Sequence, residues 1–240
     1  MKRRKRKKVT AMGLAVVMAA TVPMQVFATE GVEENTQVNE QVNEQADVTG
    51  SAVGEQTEGF SFQFDATTGT AAVTGYTGVD TAIVIPAQTV KGGITYKVTS
   101  VAERAFYNND SIISVIFEGG IKNIGNSAFE HCDSLQKVEL CDSIESMGEG
   151  VFSGCSQLKE VRLSAGLKQI SNRAFSGCKN LKEIQIPDAV ELINSWSFNN
   201  CTSLEKVVFS NSSMCKKIGS QAFVRCTACL LYTSPSPRDA

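Results

Sequence analysis

A 23-residue period in the apolar residues constrains the fold of this chain more than any other sequence feature. The period is marked by a phenylalanine column at Phe106, Phe129, Phe152, Phe175, Phe198 and Phe223. A second column holds Ile112, Leu135, Leu158, Leu181 and Leu204. The last interval is longer than the others because an insertion of two residues falls around 211–214. Repetition at a fixed period of this length indicates an array of similar structural units.

The structure of one unit follows from the pattern Ile121-x-x-Ile124-Gly-x-x-Ala128-Phe129-x-x-Cys132-x-x-Leu135-x-x-Val138-x-Leu140. The alternation at the end of the unit predicts a short strand. The Gly-x-x-Ala-Phe segment predicts a tight turn that leads into one helical or 3₁₀ turn on the opposite side. One unit alone buries too little, so successive units must stack, with their strands forming a parallel sheet. We therefore predict an α/β solenoid of 23-residue coils.

Two columns rich in Gly and Asn are expected to adopt positive φ, which these residue types tolerate best. The first column is Gly125, Gly148, Ser171, Asn194 and Gly219. The second precedes the cysteine column and contains Asn108, His131, Gly154, Gly177, Asn200 and Arg225. We interpret His131 as a turn residue, because a histidine adjacent to a cysteine on a turn does not align with it as a catalytic base.

The repeat also divides the chain into domains. Residues 98–228 are predicted to form the repeat domain, with five full coils and a partial sixth. Residues 59–97 do not match the unit, but Phe60–Phe64 alternates and Ile83–Pro86 has the form of a repeat strand. These features predict a β-rich N-terminal cap that shields the first coil.

The motif Ile-Gly-x-x-Ala-Phe-x-x-Cys-x-x-Leu resembles the BspA-like leucine-rich repeats of bacterial surface proteins. The resemblance covers about residues 76–228 and is specific, because six units carry the motif. It implies export, display at the cell surface, and binding of macromolecules of a host or a neighbouring cell. In some proteins of this kind, wall-anchoring or catalytic modules follow the repeats.

The N-terminal 28 residues have the pattern of a secretory signal peptide. A basic run, Lys2–Lys8, precedes an apolar run, Val9–Val22, and small residues favour cleavage after Ala28. The apolar run is shorter than the ~20 residues of a membrane span, so no span is expected after cleavage. Residues 29–58 contain eight acidic residues and no Lys or Arg. This composition predicts a disordered acidic linker.

The C-terminal tail departs from the repeat. Cys229–Ala240 resembles the translation of a transposase-type sequencing adapter, and Cys229 stands where the repeat calls for Leu. We expect residues 229–240 to be a non-native scar and the array to be truncated in the middle of its sixth coil.

Five of the eight cysteines form one column: Cys132, Cys155, Cys178, Cys201 and Cys226. Parallel in-register stacking separates their Cβ atoms by about 4.8 Å, whereas a disulfide needs roughly 3.5–4.5 Å. We predict a buried ladder of free thiols. Cys215 is expected to be buried as well and Cys141 to lie near solvent. We do not interpret the Cys226–Cys229 pair as a metal or redox site.

The sequence offers no catalytic constellation, no cofactor motif and no metal-ligand cluster in residues 29–228. Trp196 is interpreted as a packing residue or a single exposed ring. Residues 59–228 contain 15 basic and 16 acidic residues, which lacks the basic surface of a nucleic-acid-binding protein. We therefore expect a non-enzymatic protein without a cofactor.

The outward positions of the strands are the candidate partner site, because alternate strand residues point away from the core. The candidate residues are Lys137, Glu139, Glu160, Arg162, Glu183, Gln185 and Lys206. Mixed charge and few aromatic rings favour a protein partner, such as a host matrix or cell-surface protein, over a carbohydrate. The leading prediction is a secreted or cell-surface interaction module. Two alternatives stay open, a targeting module of an exported enzyme and an architectural spacer in the envelope.

Overall fold

A computed structural model describes residues 59–227 and 229–233. This part of the chain contains sixteen β-strands and no helix. The predicted signal peptide and acidic linker, and the end of the predicted C-terminal scar, lie outside the described residues.

The strands fall into a cap and a series of coils. The cap and its junction with the coils contain β1 (Phe60–Asp65), β2 (Thr70–Tyr76), β3 (Ala82–Ile85), β4 (Gln88–Lys91) and β5 (Ile94–Val101). The coils contain β6 (Ser114–Phe117), β7 (Asn123–Ile124), β8 (Lys137–Glu139), β9 (Ser146–Met147), β10 (Glu160–Arg162), β11 (Gln169–Ile170), β12 (Glu183–Ile186), β13 (Leu192–Ile193), β14 (Lys206–Phe209), β15 (Lys217–Ile218) and β16 (Leu230–Thr233).

The coils stack in parallel and each contributes a strand to two ribbons of sheet. The front sheet has the strand order β3-β6-β8-β10 and then β12-β14-β16. The rear sheet has the order β1-β2-β5-β7-β9 and then β11-β13-β15. Residues one repeat apart face each other, as Val138 does with Val115 and Val161. We number the coils by their residues: coil 1 is 98–120, coil 2 is 121–143, coil 3 is 144–166, coil 4 is 167–189, coil 5 is 190–214, and coil 6 begins at 215.

The structure confirms a parallel solenoid of repeating coils, but the predicted helical or 3₁₀ turns were wrong. The described residues form an all-β solenoid, because no right-handed helix can continue through a residue with positive φ. In coil 2, Ser127 has φ 53° and His131 has φ 60°, so the chain reverses its local hand twice within five residues. Only isolated turns form there, such as the bond from the Glu130 N–H to the Ser127 carbonyl oxygen at 3.1 Å.

The column that precedes the cysteines has positive φ in every coil, as predicted. A second positive-φ column lies four residues earlier and was not predicted from the sequence. Its members are Arg104, Ser127, Gly150, Arg173, Trp196 and Gln221. Most of them are not Gly or Asn, so composition gave no signal for the conformation.

The other predicted positive-φ column, which begins at Gly125, does not have positive φ. The glycines serve a different purpose there, because the backbones of successive coils approach closely. A Cβ atom at Gly125 would lie 2.4 Å from the Glu103 nitrogen, and one at Gly148 would lie 2.5 Å from the Asn126 nitrogen. Real Cβ contacts of this length do not occur, so closeness rather than φ selects glycine at these two positions.

The alternating backbone conformation creates a third connection between coils, which we call the turn side. In coil 2 the N–H groups of Ser127, Phe129 and His131 donate to carbonyl oxygens of coil 3 at 2.8, 2.9 and 2.8 Å. The same three bonds recur in the other coils up to coil 5. The turn side therefore carries a backbone ladder although it contains no strand.

The core is a set of continuous side-chain columns between the two sheets and the turn side. Phe152, Phe175 and Phe198 are fully buried and stack face to face, with ring centroids 5.5 and 5.4 Å apart. The leucine column is buried throughout. Burial of these columns depends on the neighbouring coils, because each ring covers the next.

The N-terminal cap is built into the solenoid rather than placed over its end. β1 and β2 form an antiparallel hairpin, and β2 continues in parallel into β5 of the rear sheet. β3 pairs in parallel with β6 of the front sheet. β5 runs across the predicted boundary at residues 97 and 98, because the last part of the cap and the first coil share this strand.

The C-terminal end of the described residues extends the front sheet by one strand. β16 pairs with β14, with Leu231 opposite Val207. These residues belong to the predicted scar, and they occupy the position of a sixth strand instead of leaving the coil half-formed at residue 228. The non-native origin of the tail stays a prediction.

We expect Phe175→Ala to lower the free energy of unfolding by about 3–5 kcal/mol, because it empties a fully buried aromatic site between two stacked rings. Chemical denaturation monitored by circular dichroism measures the loss. The exposed Lys179 provides the control, and Lys179→Ala should change the free energy by less than ~0.5 kcal/mol. Equal losses for the two variants would contradict the assignment of the core.

Candidate functional site

The outward side of the front sheet, which we call the front face, contains all seven candidate residues. Strand alternation turns residues such as Glu183 and Gln185 to solvent and Ile184 and Ile186 to the core. The strand register sorts the outward residues into two rows. One row is Ala82, Ser114, Lys137, Glu160, Glu183 and Lys206; the other is Val84, Ile116, Glu139, Arg162, Gln185 and Val208.

Ion pairs connect several of the candidate residues. The Lys137 ammonium lies 2.7 Å from the Glu139 carboxylate, and Lys206 lies 3.1 Å from Glu183 in the preceding coil. The hydrogen bond from Lys137 lowers the pKa of Glu139, and the same bond raises the pKa of Lys137. Both groups are exposed, so the pairs contribute little to stability and mainly fix the pattern of charge.

Arg162 is held more firmly than the other candidates. Its guanidinium donates to the Leu140 carbonyl oxygen at 2.8 Å and to both carboxylate oxygens of Asp142 at 3.0 Å. A bond from the Ala165 N–H, followed by that from Arg162, lowers the pKa of Asp142. Arg162 thus presents an ordered positive group between coils 2 and 3, since a bidentate arrangement fixes its orientation.

Glu160 lies near the middle of the front face. Within the described part of the chain it forms no ion pair, in contrast to Glu139 and Glu183. It adjoins Lys137 in the same row. Its carboxylate is therefore the candidate group that a partner can approach without first displacing a salt bridge.

The N-terminal end of the front face is apolar, which the list of candidate residues missed. Val84 and Ile116 are register partners on β3 and β6, and they are 45% and 41% exposed. Ile116 is an outward position of the repeat, but Val84 lies in the cap, outside the 23-residue pattern. The strand-like sequence Ile83–Pro86 was the available signal, because alternation places Val84 outward.

The cysteine column forms the expected ladder of free thiols. Each thiol donates to the carbonyl oxygen of a phenylalanine in the preceding coil, for example Cys155 to Phe129 at 3.1 Å and Cys201 to Phe175 at 3.0 Å. Burial raises the pKa of the Cys178 thiol. A buried, hydrogen-bonded thiol of raised pKa is a packing group and a poor nucleophile.

The remaining residues with possible chemistry are dispersed. Cys141 and Cys215 are both half-buried, so Cys141 is less exposed and Cys215 less buried than predicted. His131 packs edge-on against the Tyr107 ring and occupies the predicted turn position, and Trp196 is an exposed ring on the turn side. Among residues 59–227 and 229–233, no group of His, Cys, Asp or Glu could hold a metal ion.

Hydropathy adds one observation on membranes. Within the described residues, no helix is long and apolar enough to cross a bilayer.

Comparison with known proteins agrees with the geometry of the coils. The family model for the BspA-type leucine-rich repeat region matches six copies over residues 99–230. The chain belongs to this family. Members of the BspA-type family share the leucine-rich repeat, a scaffold that generally serves as an interaction module without catalytic activity. No curated protein sequence matches the chain.

Solved structures show the same fold. The leucine-rich-repeat protein of T. pallidum is 23% identical, with a TM-score of 0.64, over 75% of this chain and 83% of that one. A leucine-rich-repeat protein of Bacteroides capillosus is 28% identical, with a TM-score of 0.45, over 65% of this chain and 96% of that one. The pneumococcal vaccine antigen PcpA is 17% identical, with a TM-score of 0.46, over 76% of this chain and 70% of that one.

We expect Cys155, Cys178 and Cys201 to be free thiols in the protein purified without reductant, because each donates to a carbonyl oxygen in the core. Mass spectrometry of the denatured, alkylated protein checks this. Alkylation of the native protein should leave these three thiols unmodified, since burial protects them. A disulfide between any two of them would contradict the register of the coils.

Proposed function

We propose that this protein is a non-enzymatic interaction module that binds a protein partner through its front face. The family assignment supports an interaction role, since leucine-rich repeats generally bind other proteins. The predicted signal sequence and the resemblance to bacterial surface proteins support a secreted or cell-surface location. A host matrix or cell-surface protein is the proposed partner, and a carbohydrate is the second choice.

The observation that carries the proposal is the arrangement of the front face. Its two rows place ordered charged groups, exemplified by Arg162 and Glu160, beside the exposed apolar pair Val84 and Ile116. An apolar patch bordered by ordered polar groups is typical of protein interfaces, in which an apolar core is surrounded by a polar rim. The front face therefore offers both parts of such an interface on one surface.

The geometry also indicates the size of the contact. One coil presents two outward residues on its strand, so a partner must span several coils to bury the ~800 Å² per side of a stable interface. The depression that includes Val161, Arg162 and Gln185 has a volume of about 450 Å³ and is lined largely by charged and polar side chains. Such a lining suits a protein surface better than an apolar small molecule.

The test is binding of the full chain to purified extracellular-matrix proteins, with soluble polysaccharides as the carbohydrate arm, measured by biolayer interferometry. Glu160→Arg inverts a charge at the middle of the front face and leaves the ion pairs of Lys137 and Lys206 in place. It should weaken binding of the matched partner about 3- to 10-fold, the effect of roughly 0.7–1.4 kcal/mol at a partly exposed charge.

The matched control is Lys179→Glu, an equal reversal of charge on an exposed residue of the turn side. It should alter affinity less than 2-fold. Weakening by Lys179→Glu without weakening by Glu160→Arg would place the partner on the turn side. Absence of binding to every protein of the panel would count against the adhesion role.

A further inference from the structure

Both sheets of the solenoid are interrupted at the same junction, between coils 3 and 4. In the front sheet β10 ends one set of paired strands and β12 begins another. In the rear sheet the corresponding break lies between β9 and β11. The adjoining junctions are paired in both sheets, as β8 is with β10 and β13 with β11. We propose that this junction is a hinge that divides the front face into two rigid halves.

The backbone bonds at the start of each coil show what is different at this junction. The N–H groups of Glu145 and Glu191 each donate to the preceding coil at 2.9 and 2.8 Å. A corresponding bond from Lys168 to coil 3 does not form among the described residues. At the next step Gly148 and Asn194 donate through their backbone N–H groups, whereas Ser171 donates through its side-chain hydroxyl to the Met147 carbonyl oxygen.

Ser171 supplies part of the cause. It occupies the column in which a Cβ atom at Gly148 would lie 2.5 Å from the preceding backbone, so coil 4 cannot approach coil 3 in the same way. The Cβ atom is not sufficient by itself, because Asn194 stands in the same column and its coil remains paired.

Like charges supply the second part. Along the first row of the front face, Glu160 of coil 3 and Glu183 of coil 4 occupy equivalent positions on either side of the break. The neighbouring steps of that row instead bring Lys137 beside Glu160 and Glu183 beside Lys206. Like charges at directly opposed positions of a sheet are destabilising. The one repulsive step coincides with the break.

The contacts that remain across the junction lie mainly on the turn side. Gly150, Phe152 and Gly154 donate backbone bonds to coil 4 at 2.9, 2.8 and 2.7 Å. The Phe152 and Phe175 rings remain stacked at 5.5 Å, and the Cys178 thiol donates to the Phe152 carbonyl oxygen. Because the turn side is continuous and the two sheets are not, the hinge axis runs along the turn side.

Packing around the break fits this assignment. Val161 belongs to a core column whose other members, Val115, Val138, Ile184 and Val207, are fully buried, yet Val161 is only half-buried. It lines depressions of about 450 and 550 Å³ on the front sheet. A further depression of about 310 Å³, lined by Met147 and Ser171, opens at the break in the rear sheet. Opening at the hinge changes the relative position of Arg162 and Gln185 on the front face.

Pulsed dipolar electron spin resonance tests the hinge directly in the full chain. The test pair of nitroxide labels is at Lys137→Cys and Lys206→Cys, and the control pair is at Ala82→Cys and Glu160→Cys. Each pair spans three strand spacings, or about 14 Å before the label linkers. Only the test pair spans the break. The half-buried cysteines Cys141, Cys215, Cys226 and Cys229 are changed to Ala in all samples.

The expected result is a distance distribution at least twice as wide for the test pair as for the control pair. Adding Ser171→Gly and Glu160→Gln to the test pair should narrow it to the width of the control. Equal widths for the two pairs in the absence of these changes, or a wide distribution that they leave unaltered, would overturn the proposal.

A second measurement uses the unsubstituted protein. Relaxation dispersion of backbone amides should detect microsecond-to-millisecond exchange at Met147, Val161 and Ser171, beside the break. It should find none at Ile124 and Val138, which occupy the corresponding columns of coil 2. Exchange that is uniform along the array, or absent beside the break, would contradict a hinge at this junction.

Discussion

The backbone hydrogen bonds between successive coils are the interaction on which the rest of this structure depends. They form along the front sheet, the rear sheet and the turn side, and they fix residues one repeat apart opposite each other. The phenylalanine stack, the thiol ladder and the ion pair between Glu183 and Lys206 follow from that alignment. A shift of one residue would turn the core residues of a strand outward, so the side-chain columns and the backbone register support each other.

The turn side shows what this alignment can sustain. Residues with positive φ, such as Arg104, Arg173 and Trp196, carry a conformational cost of order 1–3 kcal/mol each in the absence of compensation. Their N–H groups donate to the next coil, and the intervening Phe residues enter the core. The conformation persists because contacts on both sides of the backbone require it. The same requirement excludes the helical turn that the spacing alone had suggested.

The core columns, the parallel stacking, the free thiols and the positive φ of His131 were predictable, because each depends on residue type at one repeated position. The rear sheet, the conformation of Trp196 and the role of Gly125 were not. Each of these depends on how closely the next coil approaches, which the period does not specify. The apolar pair on the front face was missed because Val84 lies in the cap. The break between coils 3 and 4 depends on pairs such as Glu160 and Glu183, whose opposition is visible only once the register is known.

Amide hydrogen exchange on the turn side tests most directly whether inter-coil hydrogen bonds hold the solenoid together. The N–H groups of Ser127, Phe129 and His131 belong to turns, yet they donate to coil 3. They should exchange as slowly as the amide of Val138 in the front sheet, with opening free energies close to that of global unfolding. Fast exchange at all three positions, alongside slow exchange at Val138, would show that the sheets alone carry the fold and would contradict this account.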